Sequence, residues 1–521
     1  MSSPPTARRR IAVVLDGPGT PAWQHRSLEA LRASSRLEVV AVRLLPAPRR
    51  SWAARAHSAF ERHLFAIGAD ALAPLRVEHS DGGGEEIVVW LAAIAPGAED
   101  RAAVLYLRHG RRRESAEEAF RRAALGSEPF VASEAVLQRG ETTTVLERTV
   151  SAARPYSATL SRDRALWKLA ALVVRAAERA ANGGPAAERA ANGGPAAEPE
   201  PELLPGADPG TARLIARSPW RWARIVAARA VFARPWAVMV RERESDPSGG
   251  WPSQRELVRW RSGHAYADPF LFEHEGRHHL FCEEILPGSW RAVISHVELS
   301  ADGGPAGPPS TVLEAPYHLS YPCVFAHGGE FFLIPETSSQ MRVELYRSIE
   351  FPREWRREAV LLEGLAASDA TILEHAGRLW LFVNVAAPGA ALLDELHVFS
   401  ASEARGPWHP HPGNPVVSDV RAGRPGGAIQ RWGSRLVRPA QDSSRRYGGA
   451  ISFREIDVLT AERYAEHEIA RIDPVALCAR ATHTYAADSR FEAVDFRRRE
   501  SRLKLSAGAI QARHGGRRAR I

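Results

Sequence analysis

The residues of this 521-residue chain best suited to chemistry are acids that recur at fixed spacing in its second half. Asp268, Tyr321, Asp369 and Pro425, the last with Arg424 beside it, each stand eight residues ahead of a glycine: Gly276, Gly329, Gly377 and Gly433. Seven residues beyond each glycine come Glu283, Glu336, Asn384 and Ala440. Glu284, Thr337 and Gln441 follow them, and Asp442 comes one place later. Paired carboxylates are what glycosidic chemistry requires. One stays protonated to assist a leaving oxygen, and the other is ionised to attack or to activate a nucleophile. Crowding acids at one place splits their pKa values, because neighbouring negative charges resist joint ionisation. Arg424, Arg438, His318 and Tyr321 add groups that hold hydroxyls or a phosphate, and Trp380, Tyr317 and Trp290 offer rings for a sugar face.

The elements that must position these residues are short strands. An apolar run precedes each glycine (PFLF, PCVF, ATIL, GAI) and another follows it (HHLF, FFLI, LWLF, RLV). Two antiparallel strands joined at the glycine bring the start of the first and the end of the second to one rim. The acids therefore converge on one mouth. Turn chemistry explains Asp268 and Asp369 singly, since Asp favours such positions. It does not explain the acids that end the return strands. The units start 53, 48 and 56 residues apart, the spacing of four-stranded propeller blades. Four units cover about residues 266–475. The segments 236–244 (WAVMVRERE) and 483–496 (HTYAADSRFEAVDF) are expected to build a fifth blade from both ends, closing the ring and removing open edges. A two-sheet sandwich is the competing architecture.

The rest of the chain reads differently. Residues 8–180 alternate strand-like runs (Ile11–Leu15, Leu37–Leu44, Ile87–Leu91, Val104–Leu107) with helical stretches (Trp23–Ala33, Ser115–Ala124, Asp163–Ala181), an α/β pattern. The decapeptide AAERAANGGP at 176–185 repeats unchanged at 186–195, the mark of a tolerant linker. Residues 211–234 read as a helix interrupted near Pro219, packing between domains or touching lipid.

The net charge of +8 resides in the tail: residues 497–521 hold eight arginines and Lys504 against Glu500 alone. A basic tail is usually solvated, so nucleic acid is disfavoured as a partner. Peripheral membrane contact through 211–235 or the tail is the remaining use of that charge. No apolar run reaches the roughly 18 residues of a membrane span, and the five-residue run Ile11–Leu15 reads as a strand, too short for a secretory leader. Only Lys168 and Lys504 are lysines among 69 basic residues, a bias of GC-rich bacterial genomes. Cys282, Cys323 and Cys478 form no CxxC pair, which fits a reducing cytoplasm.

The motifs YADPFLFEHEGRHHLFCEE, YHLSYPCVF, FLIPETS, SDATILEHAGRLWLFVN, HPGNPV, RPAQD and YGGAI resemble the N-terminal propeller of the glucosamine inositolphosphorylceramide transferases, which is related to arabinanase, xylosidase and levanase propellers. In those hydrolases an Asp opening the first blade is base or nucleophile, and an Asp opening the third tunes pKa. Asp268 and Asp369 match these positions. The hydrolases' acid comes from a later blade. No EGP-type motif is present, and Glu336 and Glu395 are the candidates. The segment IAVVLDGPGTPAWQHRSLEAL is similar to the start of formyltransferase-like domains. The resemblance implies a catalytic-histidine position at His109. The preceding asparagine and the SLLP loop of that family are missing, which implies a degenerate domain.

The expected protein is multi-domain: an α/β formyltransferase-like domain (1–180), a linker (181–210), a connecting helix (211–235), an all-β five-bladed propeller (236–496) and a basic tail (497–521). Candidate catalytic residues are Asp268, Asp369 and Glu336. Candidate substrate-binding residues are Glu283, Glu284, His318, Tyr321, Arg424, Arg438, Gln441 and Asp442. The sequence calls for no metal and no cofactor. The expected partner is a sugar, sugar nucleotide or glycan. The expected function is sugar transfer or sugar-nucleotide handling at the propeller mouth, in bacterial glycan biosynthesis in the cytoplasm, with an arabinanase- or levanase-type hydrolase and a non-catalytic sugar-recognition module as alternatives. The duplicated Gly-Pro-Ala segment carries too little apolar surface to order itself. Limited proteolysis is therefore expected to cut first between Asn182 and Gly210, leaving two folded pieces; first cuts within 266–475 would contradict the blade assignment.

Overall fold

In the first part of the chain, apolar runs alternate with stretches of helical periodicity, and the strands find one another across the helices. The computed structural model describes residues 8–17, 19–46, 52–93, 103–110, 115–126, 128–182, 216, 218–223, 232–233, 235–249, 251, 256–257, 261, 263–497 and 500–501. The chain divides into two units, the first mainly Met1–Arg221 and the second Trp222–Ala386 with Leu392–Ile521.

In the first unit, Leu37–Pro46, Arg9–Gly17, Ile87–Trp90 and Ala103–His109 lie side by side in parallel. Phe130–Arg139 and Thr142–Ala152 extend the sheet antiparallel. This hairpin and the helix Trp52–Leu64 were not apparent in the sequence pattern. The helix Ala158–Ala181 starts at Ser157, whose hydroxyl accepts from the Leu160 N–H at 3.1 Å. It buries Leu166, Leu169, Leu172 and Val173 in one core with Ile11, Val13 and Val89 of the sheet. His109 ends a strand, is buried, and pairs with the Ser133 hydroxyl at 2.9 Å. Burial pushes its pKa down to about 4. It is a neutral core histidine, satisfied where it stands.

Between the units, the expected linker lies outside the described residues from Gly183 onward. The expected helix over 211–235 does not run through: residues 218–223 are helical, but Phe232–Ala233 form a strand paired with Glu500–Ser501. Pro235 disfavours helix in the residue before it. The same pairing corrects the start of the tail, since Arg497 still belongs to a strand and ordered pairing reaches Ser501. Among the described residues no helix is long and apolar enough to cross a membrane.

The second unit is a five-bladed β-propeller. Four blades follow the chain. Blade one is Ala265–His274, Arg277–Ile285, Ala292–Leu299 and Ser310–Leu313. Blade two is Ser320–His327, Glu330–Glu336, Arg342–Glu350 and Glu354–Glu363. Blade three runs from Ala366–His375 to His409–Pro410, and blade four from Arg424–Pro425 to Tyr464–Ile472. The first two strands of blades one and three meet at turns with positive φ at both central residues, Glu275-Gly276 and Ala376-Gly377, the geometry that matches strand twist. Blade five comes from both ends of the unit. Trp236–Glu242 pairs antiparallel with Phe491–Arg497, flanked by Glu256–Leu257 and Tyr485–Ala487. The ring closes as the sequence pattern anticipated.

The innermost strands of blades one to three share one irregularity. Asp268, Tyr321 and Asp369 sit at φ of 49°, 46° and 57°, and the register slips at each. Left-handed backbone is rare for such residues and costs of order 1–3 kcal/mol each. It turns their side chains toward the axis. The Tyr321 hydroxyl accepts from the Gly427 N–H of blade four at 2.7 Å and lies 2.9 Å from the Thr371 hydroxyl of blade three. Tyr321→Phe therefore strands a buried N–H. Urea unfolding should show a loss of about 1–3 kcal/mol; an unchanged midpoint would mean the hydroxyl does not hold the blades.

Candidate functional site

Asp268 is the point where three blades meet. Its Oδ1 accepts from the Thr484 hydroxyl of blade five at 2.7 Å, and its Oδ2 from the Tyr321 N–H of blade two at 3.2 Å. Its own N–H donates to Asp495 Oδ2 at 3.2 Å. Between the two acids stands His483, with Nδ1 against Asp495 and Nε2 3.5 Å from Asp268 Oδ1. Burial raises the Asp268 pKa, and the His483 charge opposes that rise. For His483, burial lowers the pKa, but the Asp495 and Asp268 charges outweigh it and push the value up to about 9.

Asp369 lies in the same centre, gripped by Arg424 through Nε–Oδ2 at 2.5 Å and Nη2–Oδ1 at 3.0 Å. Gln441 Nε2 adds a bond at 2.7 Å. Burial nonetheless outweighs the guanidinium and lifts the Asp369 pKa to about 6. Glu283, across the ladder from Ala267, pairs with His318 Nε2 at 3.1 Å. Burial pushes Glu283 up to about 7 against that imidazole's pull. Burial draws His318 down, but Glu283 and the Trp290 carbonyl, 2.8 Å from Nδ1, carry it up to about 9.

Glu336 is half-buried and accepts from Ser338 N–H at 2.8 Å and Ser320 Oγ at 3.3 Å. Its charge reaches Asp369, Arg424 and His318. Two rings stand open to solvent beside these groups: Trp290, 69% exposed, and Tyr447, 37% exposed. Tyr447 lies under Arg424 at 5.3 Å and edge-on to His483 at 4.9 Å.

The structure thus gathers Asp268, Asp369, Glu283, His318, Tyr321, Arg424 and Gln441, with Glu336 within electrostatic reach. Three expected ligands of substrate are engaged elsewhere. Adjacent strand residues face opposite sides, so Glu284 turns away from Glu283 and is held by Tyr266, Ser295 and His264. Arg438, three places before Gln441, faces Glu466 in a buried bidentate pair at 2.8 and 2.6 Å. Asp442 is tied to Arg471 at 2.5 Å and to the Ser444 N–H. Glu395, the other proposed acid, lies buried with the Ser418 hydroxyl at 3.1 Å.

Sequence reasoning missed His483, Thr484, Asp495, Trp236 and Tyr447. Blade five turns at Asp488–Arg490 with no glycine, so the eight-residue marker that revealed the other blades was missing.

The fold defines the second unit as a five-bladed propeller in which the buried carboxyls Glu283 and Asp369 lie within electrostatic reach of Asp268. Residues 258–492 match the family described as glucosamine inositolphosphorylceramide transferase 1, N-terminal. The chain is 31% identical to glucosamine inositolphosphorylceramide transferase 1 of Arabidopsis thaliana over 232 residues, 43% of this chain and 30% of that protein. It is 31% identical to the Oryza sativa subsp. japonica protein of the same name over 221 residues, 42% of this chain and 28% of that one. The resemblance read from the motifs holds over the propeller, while the chain spans under a third of these relatives' length. Among solved structures it is similar to Zg3597, a family 117 glycoside hydrolase of Zobellia galactanivorans, at 12% identity and a TM-score of 0.34, covering 47% of this chain and 78% of that one.

His318 and His483 both have pKa values raised above the ordinary 6.5, to about 9. Each such group contributes stability that is complete below its unfolded pKa and is lost as pH rises through its folded pKa. Folding stability measured in urea should therefore fall between pH ~6.5 and ~9. His318→Gln should flatten part of that fall; an unchanged slope would show that His318 is not charged in the folded protein.

Proposed function

We propose that the propeller mouth binds a sugar and transfers it, with Asp268 as the ionised carboxylate facing the reacting centre and Glu283 as the proton carrier beside it. The observation that carries this reading is the unequal setting of the crowded acids. Each acid has a histidine at its side, but Asp268 also accepts from the Thr484 hydroxyl and the Tyr321 N–H, whereas burial pushes the Glu283 midpoint up to about 7 in spite of His318. A carboxyl poised near neutrality both holds and releases a proton at working pH. Asp369, locked by Arg424 and Gln441, sets the field between them. Trp290 and, in part, Tyr447 expose ring surface to solvent beside these groups. The relatives that match the propeller are named glucosamine inositolphosphorylceramide transferase 1.

The setting proposed is glycan assembly from a sugar nucleotide in a bacterial cytoplasm. The arginine-rich composition and three unpaired cysteines support that setting. The four parallel strands of the first unit support reading it as a degenerate formyltransferase-like scaffold for a ligand or partner. Hydrolysis of the arabinanase type is the second reading, favoured by the same Asp268 and Glu283 pairing with water in place of an acceptor.

The test is Asp268→Asn, assayed against sugar nucleotides with glycan acceptors and against aryl glycosides, with products followed by mass spectrometry. The φ of 49° at this position suits Asn as well as Asp, so stability should change by only about 1 kcal/mol. Turnover should fall by roughly 10²-fold or more, the scale of a lost acid–base group. Full activity in the folded variant would sink the catalytic reading. Weakened sugar binding, with no turnover in the wild type, would make the mouth a recognition module.

A further inference from the structure

Blade one does not hold Asp268 by itself; blade five supplies its surroundings. Asp495 is fully buried and is fixed first by backbone: its Oδ1 accepts from the N–H groups of His483 at 2.8 Å and Thr484 at 3.1 Å. Its Oδ2 takes His483 Nδ1 and the N–H of Asp268. The His483 ring stacks on Trp236 at 4.3 Å and 15°, with Tyr447 edge-on against it. Arg497 lies over the Trp236 ring at 5.2 Å. An imidazole gripped on its faces and at Nδ1 has one free direction left, and Nε2 uses it toward Asp268 Oδ1.

We propose that His483 is the positioning residue of the mouth: clamped between Asp495 and Asp268 as an imidazolium, it fixes the orientation and the negative charge of Asp268. The inference rests on the reading of Asp268 as the working carboxylate. Both ring nitrogens face carboxylate oxygens, so a neutral tautomer would set a lone pair against one of them. The charged groups facing the ring from the packed elements are Asp268 of blade one and Asp495 of blade five, with Arg424 of blade four more distant. Around Asp268 itself the charges are those of His483, Asp495 and Arg424, with Glu283 also within electrostatic reach. The imidazolium between the two acids opposes the burial and the Asp495 charge that raise the Asp268 pKa, and so favours its ionised form.

A divalent ion between Asp495 and His483 would have to displace their direct contact, since it needs each ligand about 2 Å away. The relay also makes the site depend on ring closure. His483, Thr484 and Asp495 sit at the C-terminal end of the propeller and Trp236 at its N-terminal start, and all belong to blade five.

The test is a pH titration of the full chain by NMR, with ¹³C at Asp carboxyl carbons and ¹⁵N in His rings. Signals are assigned by difference using Asp268→Asn and His483→Gln. In the wild type the His483 ring should keep both protons until about pH 9. In His483→Gln the Asp268 midpoint should rise by at least about one pH unit, tenfold in its ionisation constant. In Asp495→Asn the His483 midpoint should fall by a similar amount. Should His483→Gln fail to fold, the Asp495→Asn titration decides alone.

An Asp268 midpoint unmoved in folded His483→Gln would overturn the proposal. So would a His483 midpoint at its ordinary value, or wild-type His483 signals shifted by micromolar Zn²⁺ or Ca²⁺ and restored by EDTA. None of these readouts needs a substrate. A flat titration sinks the positioning role while leaving transfer standing, and full turnover in Asp268→Asn sinks transfer while leaving the titration intact.

Discussion

One hydrogen-bonded ring around the propeller axis ties together the blades and the site. Thr484 of blade five donates to Asp268 of blade one, which accepts from the backbone of Tyr321 in blade two. The Tyr321 hydroxyl bridges Thr371 of blade three and the Gly427 N–H of blade four. The circuit closes where the Tyr485 N–H of blade five donates to Gly426 O at 2.8 Å. Gly427, at φ 133°, must be glycine, because a Cβ there would lie 1.8 Å from Tyr485 O. Each bond is worth only about 1 kcal/mol net, but leaving any of these buried groups unpaired costs more. The groups that would do chemistry are therefore the same groups that align the five sheets.

The direction of the pKa shifts separates these mouth acids from the structural ion pairs elsewhere in the unit. Glu466 is as buried as Glu283, yet two arginines, Arg438 and Arg454, overcome its burial and hold it down at about 2. Glu344, bonded to Arg342, Arg357, Tyr317 and Tyr346, is likewise lowered despite its burial. Such pairs are fully compensated, and breaking one exposes an unpaired buried charge at a cost of about 3–5 kcal/mol. At the mouth the balance is reversed. Asp268, Glu283 and Asp369 have cations beside them (His483 and Arg424, His318 and His483, and Arg424), and burial still wins. Carboxyls left undercompensated in this way cluster where protonation is meant to change.

The sequence disclosed this centre unevenly, for physical reasons. The repeat was legible because two-residue turns with positive φ demand glycine, and the pleat keeps acids at a constant distance from that glycine. The same rule placed Asp268, Asp369 and Glu283 at one rim, while the closing blade was expected from the strand-like segments at both ends and the removal of open edges. It could not tell Glu283 from Glu284, or Gln441 from Arg438, because spacing gives the rim and not the face. The left-handed twist at Asp268, Tyr321 and Asp369 was invisible, since Tyr321 is the last residue type expected there. In the first unit the antiparallel hairpin Phe130–Ala152 hid within a region whose other strands announce a parallel sheet. His109, which the resemblance set at a histidine position of a degenerate domain, lies buried against the Ser133 hydroxyl.

The three left-handed residues connect these observations. A regular strand would alternate its side chains between the two faces of the blade and send none along the axis. The slip in register at Asp268, Tyr321 and Asp369 turns one side chain per blade inward. The strain of a few kcal/mol is offset only if those side chains find partners. Asp268 and Tyr321 find them in the ring of hydrogen bonds, and Asp369 finds Arg424 and Gln441. Blade four needs no such residue, because Arg424 reaches across to Asp369 from an ordinary strand. Blade five contributes His483 and Thr484 from the segment just before its innermost strand. The axis is thus filled from five directions by polar groups that neutralise one another except at the carboxylates. The polar centre ties the five sheets together, and it is this same centre that holds Asp268 and Asp369 at raised pKa values.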